Sequence, residues 1–192
     1  MIIARILSPV HSLGPGERVC IWTQGCSKRC KRCISPELQT FIGNEINERT
    51  LANVIIQVAQ KNACRAITIS GGEPFEQPQS LLKLLKLIRN EFNDILVYTG
   101  FELADIQKGL IGMEAKMCLD YLDVLIDGQY IDELNFKECV LKGSSNQKIH
   151  FINKELIPIY FVYMKKGRIL ESFVHNQETI ITGIFNKEEK PK

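Results

Sequence analysis

The chain has 192 residues, enough for one domain with a full hydrophobic core. Hydrophobic content of 45% and charged content of 24% are ordinary for a globular protein, and a net charge of +2 gives no global reason to expect nucleic acid. No apolar run approaches a membrane span, and the start, Met1 to Leu7, is too short and wrongly flanked for a signal peptide. The seven cysteines are an odd number with three of them clustered, which favours a reducing cytoplasm over a disulfide framework.

Residues 2–7 read as a short apolar first strand, and Ser12 to Gly16 as a turn. Arg18 to Thr23 is a strand that delivers the chain into a cysteine loop, after which Ile34 to Leu38 begins an irregular connection. From Asn47, a candidate N-cap, apolar residues recur at Leu51, Val54, Ile55 and Val58 with helical spacing. Ala66 to Ile69 is the next strand. Pro78 to Phe92 carries Leu81, Leu82, Leu84, Leu85 and Ile88, a strongly apolar helix. Ile95 to Gly100 is a third such strand, followed by a helical stretch through Leu103, Ile106 and Leu110 that is interrupted near Gly112. Val124 to Gly128 is another strand, ending in a carboxylate and a glycine. This alternation predicts a parallel sheet of βα units, with right-handed crossovers winding it into an open partial (βα)6-type barrel.

Beyond about residue 155 the pattern changes. Ile159–Tyr163, Ile169–Val174 and Thr179–Phe185 are short β-prone runs, with turns at Gly167 and Asn176. The expected organisation is a barrel over 1–154, a small antiparallel β appendage over 155–185 packed on it, and a frayed tail over 186–192.

Two stretches carry chemistry. The first is Gly25-Cys26-Ser27-Lys28-Arg29-Cys30-Lys31-Arg32-Cys33, with three thiols at Cys-x3-Cys-x2-Cys spacing. Structural zinc wants four ligands, and an ordinary iron–sulfur cluster wants four thiolates. Three cysteines on one short loop hold three irons of a cubane and leave the fourth open for a substrate or cofactor. The second is Ser70-Gly71-Gly72-Glu73-Pro74, just after a predicted strand. Its glycines allow close approach to the backbone, and the Glu73 carboxylate suits an ammonium group. The cysteine loop, Glu73, Thr99 and Asp127 all fall at C-terminal strand ends, where such folds collect function.

Together the two motifs resemble the radical S-adenosylmethionine (SAM) superfamily. The resemblance implies a [4Fe-4S] cluster on Cys26, Cys30 and Cys33. It implies a SAM methionine amino group held at Gly71, Gly72 and Glu73 of the Gly-Gly-Glu-Pro74 turn. Thr99 lies on the strand end that usually approaches the ribose, and Asp127 occupies another at the same mouth; their plainer readings are a turn residue and a helix cap. Arg32 stands where most members carry an aromatic against adenine. Lys28, Arg29, Lys31 and Arg32 are a solvated basic loop, or they favour the reduced cluster and dock an acidic electron donor such as flavodoxin or a ferredoxin. Cys20, Cys64, Cys118 and Cys139 read as packed thiols, His11, His150 and His175 as structural, and Trp22 as packing beneath the loop.

The resemblance sharpens to one branch, the activating proteins of anaerobic ribonucleotide reductase. Ser12 to Arg18, Gln24-Gly25-Cys26, Cys33 to Leu38, Tyr98 to Phe101, Asp123 to Gly128 and Gly143 to Gln147 carry it. It implies reductive SAM cleavage and abstraction of a glycine Cα hydrogen, which installs a glycyl radical on a partner enzyme. Neither a nucleic acid nor a membrane partner is expected. The stretch after residue 155 is longer than the smallest activating proteins need. The alternatives are a radical SAM enzyme for another glycyl radical enzyme, a peptide or a small molecule; a plain iron–sulfur electron carrier; and a zinc module completed by Cys20 or His11.

Overall fold

The structure is a computed structural model that describes residues 1–175 and 178–186. The expected turn at Asn176 and the tail from residue 187 lie outside the described residues. A six-stranded sheet runs in sequence order: β1 (Ile3–Val10), β2 (Arg18–Thr23), β3 (Ala66–Gly71), β4 (Asp94–Tyr98), β5 (Val124–Asp127) and β6 (Lys148–Phe151). Strands β2 to β5 are parallel, while β1 and β6 pair antiparallel at the two edges. The sheet is therefore open and mixed. It does not close into a barrel, and the (βα)6 expectation is corrected to a parallel centre with reversed edges. The first strand runs opposite because the short turn at Ser12–Gly16 joins it to β2 as a hairpin.

Helices α1 (Glu48–Lys61), α2 (Pro78–Ile88), α3 (Leu103–Gln107) and α4 (Met113–Cys118) lie in the connections between parallel strands. Asn47 caps α1, its side chain accepting from Arg49 N at 3.0 Å. Leu51 and Ile55 of α1 and Leu81, Leu84 and Leu85 of α2 pack on Ile21, Ile67, Ile69, Ile95 and Val97 of one sheet face. Strand alternation sends Leu96, Val124 and Ile126 to the opposite face.

Helix α5 (Ile157–Met164) covers that second face through Tyr160 and Tyr163. This corrects the β reading of 159–163. The segment is apolar on every side, so its β-branched and aromatic residues mimic a buried strand, while Pro158 in the first turn starts a helix. A polar anchor fixes α5. Arg18, buried at the start of β2, pairs with Asp94 Oδ2 at 2.6 Å, and the Tyr160 hydroxyl donates to Asp94 Oδ1 at 2.9 Å. Leaving either charge alone there would be costly, so the network ties helix to sheet.

The last element is a two-stranded hairpin, β7 (Leu170–His175) and β8 (Glu178–Gly183). Phe173 and Ile184 of this region pack against the cluster of Val10, Leu13, Cys20, Trp22 and Leu38. The appendage is thus one helix and one hairpin rather than three strands. No helix among the described residues is long and apolar enough to cross a membrane.

Candidate iron–sulfur and cofactor site

The C-terminal ends of β2, β3 and β4 meet in one cavity that is open to solvent. Cys26, Cys30 and Cys33 all line it, with Gly71, Gly72, Glu73, Pro74 and Thr99. Segments far apart in sequence are brought together there by register alone, since Thr23 is paired with Gly71 across β2 and β3.

Main-chain bonds lock the cysteine loop to the Gly-Gly-Glu turn. Gly72 N donates to Thr23 O and Glu73 N to Gly25 O, both at 2.8 Å, while Gly25 N donates to Leu38 O at 2.8 Å. Gly71 has φ +117°, and a Cβ there would lie 2.2 Å from Thr23 N; one on Gly72 would lie 2.3 Å from Gly25 O. Glycine is needed at both positions because two backbones touch there. Arg29 and Arg32 also take left-handed conformations, at φ 48° and 53°, each directly before a cysteine.

Glu73 is 2% exposed. Its Oε1 accepts from Phe75 N at 3.0 Å and from the Thr99 hydroxyl at 2.8 Å, and its Oε2 accepts from Gly100 N at 2.6 Å. Burial pushes its carboxyl up to about 7, against the opposing pull of those three donors and of Lys28. A second cation in the cavity would hold it ionised. Lys28 has its Nζ 3.4 Å from the centre of the Phe101 ring, so it leans into the cavity over an aromatic face.

The three thiols are free, and burial raises Cys26 and Cys30 above the ordinary thiol range. A metal would have to displace their protons. Among the described residues no three His, Cys, Asp or Glu side chains converge to hold a single ion. A cubane binds each thiolate on a different iron, so it needs thiols around one space rather than at one point. Cys26, Cys30 and Cys33 around the same cavity fit that group. Cys20, Cys64, Cys118 and Cys139 are buried and do not line the cavity.

Two expected site residues are placed elsewhere. Asp127 is buried off the cavity lining, and its Oδ2 accepts from Leu103 N at 2.7 Å, the first residue of α3. Its Oδ1 lies 2.9 Å from His150 Nε2, close but not aligned for a hydrogen bond. The helix-cap reading describes this position. Arg32 is also absent from the lining, and its Nε lies 3.8 Å from Asp132.

Sequence reasoning missed the far wall. Gly128, Tyr130, Asn135, Gly143 and Gln147 line it, together with Ile181 to Phe185. Gln147 organises the first group, with Oε1 accepting from Gly143 N at 2.7 Å and Nε2 donating to Gly128 O at 2.8 Å. The Gly143 to Gln147 stretch was the available signal; the hairpin had none.

Three free thiols on one loop share a cavity with a buried carboxylate at parallel strand ends, the arrangement of an α/β protein with a candidate iron–sulfur site. A family model described as a 4Fe-4S single cluster domain matches residues 12–150, well over half of the chain. The chain is 30% identical over 143 residues to the anaerobic ribonucleoside-triphosphate reductase-activating protein of Haemophilus influenzae, covering 71% of this chain and 89% of that one. Proteins of the same name from Escherichia coli K12 and Enterobacteria phage T4 are 28% and 26% identical, covering 72% and 71% of this chain and 91% and 85% of theirs. The chain belongs to the family of anaerobic ribonucleoside-triphosphate reductase-activating proteins.

Proposed function

We propose that this chain is a cytoplasmic radical SAM activase that installs a glycyl radical on a partner enzyme, anaerobic ribonucleoside-triphosphate reductase. The observation that carries the reading is the shared cavity of three free thiols and the buried Glu73 carboxylate. Cys26, Cys30 and Cys33 hold the [4Fe-4S] cluster, and Gly71, Gly72, Glu73 and Pro74 form the SAM turn. When bound, the cluster and SAM supply a one-electron reduction and a carbon-centred radical able to take a glycine Cα hydrogen.

The protein's own work is binding and orientation. Glu73 offers a buried anion to the ammonium of SAM, and Thr99 and Gly100 N hold that anion in place. Tyr98 lines the same wall, its hydroxyl tied to Leu141 O at 2.9 Å. Strand and helix ends exclude water from one side, while the open mouth admits a protein segment. The core over 1–154 does this, and the later segment completes the wall. Electrons come from an acidic flavodoxin- or ferredoxin-like donor.

The test is anaerobic reconstitution with iron and sulfide, then SAM cleavage driven by dithionite, then addition of the reductase. SAM cleavage followed by a glycyl radical signal on the reductase is expected. Cleavage without that signal would move the reading to a radical SAM enzyme with another substrate. A cluster without cleavage would leave an electron carrier.

A further inference from the structure

The β7–β8 hairpin has two unlike faces. Its inner face is clamped: Glu171 Oε2 accepts from His11 N at 2.8 Å and Ser12 N at 2.6 Å, and the Thr182 and Ser12 hydroxyls lie 2.9 Å apart. On the other face Leu170 pairs with Gly183, Ser172 with Ile181 and Val174 with Thr179. That face is open, with Leu170 42%, Val174 80% and Ile181 49% exposed. The solvent face of a hairpin is ordinarily polar. Here Ile181 sits across from Ser172, between two exposed apolar neighbours, and β8 then runs into the cavity wall at Ile181 to Phe185.

Asn135 stands on the same wall and is 8% exposed. Its Nδ2 donates to the Tyr130 hydroxyl at 3.2 Å and to Phe185 O at 3.1 Å. A carbonyl only accepts, so the amide orientation is fixed. Asn135 Oδ1 is thereby a buried acceptor without a partner among the described residues. Such an atom is costly unless a ligand brings a donor.

We propose that the hairpin is the partner-recognition wall: its apolar face and Asn135 Oδ1 seat the extended glycine-bearing segment of the partner enzyme at the cavity mouth. An extended main chain brings N–H donors for Asn135, and its side chains bring apolar surface for Leu170, Val174 and Ile181. SAM is the poorer occupant. Leu170 and Val174 of the hairpin face lie outside the lining of the cavity that holds Glu73 and the three thiols. The proposal rests on the activase reading.

The experiment uses the reconstituted full chain, wild type against Leu170→Lys with Val174→Lys, two positions of the open face outside the cavity lining. Both positions are exposed, so the fold should persist, which circular dichroism and the thermal midpoint check. Binding to the anaerobic ribonucleoside-triphosphate reductase of the same organism is measured anaerobically by interferometry, and SAM binding by equilibrium dialysis. The expected result is reductase binding weakened about tenfold or more, with SAM affinity retained. Equal reductase binding by both proteins overturns the proposal. Loss of SAM affinity also overturns it, by assigning the wall to the cofactor. Wild-type self-association that disappears in the variant, with reductase binding kept, overturns it in favour of a second copy of this chain. A wild type that binds neither SAM nor the reductase fails the activase reading itself, and the proposal falls with it.

Discussion

The Thr99 hydroxyl donates to Glu73 Oε1 at 2.8 Å, joining the end of β4 to the turn after β3. The same hydroxyl accepts from Phe101 N at 3.1 Å, so one side chain both ends a strand and holds the buried carboxylate. Thr99 is thus a turn residue that also supports Glu73. Thr99→Val should destabilise the protein by about 1 kcal/mol, the worth of one such bond, with some added cost for the deprived carboxylate. Denaturant unfolding of the cluster-free protein measures it; an unchanged midpoint would remove Thr99 from the support of Glu73.

Glu73 also sets a pH dependence. Its carboxyl titrates near 7 in the folded chain and at its ordinary, lower value when unfolded. Between those values the folded state keeps a proton that the unfolded state has released. Stability is then full below the unfolded value and is lost as pH rises through about 7. Glu73→Gln cannot ionise, so it should flatten that slope, whatever it does to the absolute midpoint. Melting curves of both cluster-free proteins from acid to alkaline pH test this. Parallel slopes would contradict it. In the reconstituted protein the same variant should retain iron but bind SAM poorly, by roughly 1.5–3 kcal/mol for a lost charge-assisted contact.

Much of this was legible in the sequence, for identifiable reasons. Strands β2 to β5 are short, mostly apolar runs, β3 ending in Gly71 and β5 in Asp127, and Asn47 announced its helix. The Cys loop and the Gly-Gly-Glu turn share a cavity because parallel register fixes where strand ends lie. What stayed hidden depends on tertiary partners. Strand β6 has only four residues, and its pairing with β5 is set by the sheet. Asp127 became a helix cap because Leu103 N points at it, and α5 carried no usable period.

The glycine at 72 gives a sharper outcome than its sequence setting suggested. Gly72→Ala places a methyl against Gly25 O and Leu38 O, both main-chain atoms that cannot rotate away. The cysteine loop and the β3 turn must separate, at a cost of about 1–3 kcal/mol typical of overpacking. Thermal unfolding of the cluster-free chain should therefore already show the damage. Unaltered stability with impaired SAM binding would instead restore the simpler view of a cleared path for the ligand.

The proposed cluster ligands divide the seven cysteines three to four. Cys26, Cys30 and Cys33 line the cavity, whereas burial raises Cys20 and Cys118 to about 12 and leaves them inert packed thiols. Alanine at any one of the three should abolish the cluster. Alanine at Cys20, Cys64, Cys118 or Cys139 should leave iron and sulfide content per folded chain unchanged. Loss of iron in any of those four, at normal folding, would refute the ligand set.

Electron delivery is the last consequence, and the structure redistributes its charges. Lys31 Nζ lies 2.7 Å from Glu133, Arg32 faces Asp132, and Lys28 leans into the cavity over Phe101. Arg29 is exposed, and its Nη1 donates to the neutral Gln39 Oε1 at 3.5 Å. If an acidic donor docks on this loop, Arg29→Glu should slow flavodoxin-driven SAM cleavage and flatten its salt dependence. Glu133→Gln should do the reverse, because it releases Lys31 from its partner. Dithionite is small and needs no docking, so cleavage driven by it should change much less in either variant. Equal loss with both reductants in Arg29→Glu would mean that the charge acts on the cluster itself. Opposite effects of the two variants, seen only with flavodoxin, would locate the docking surface on the outer side of the loop, away from the cavity that Lys28 lines.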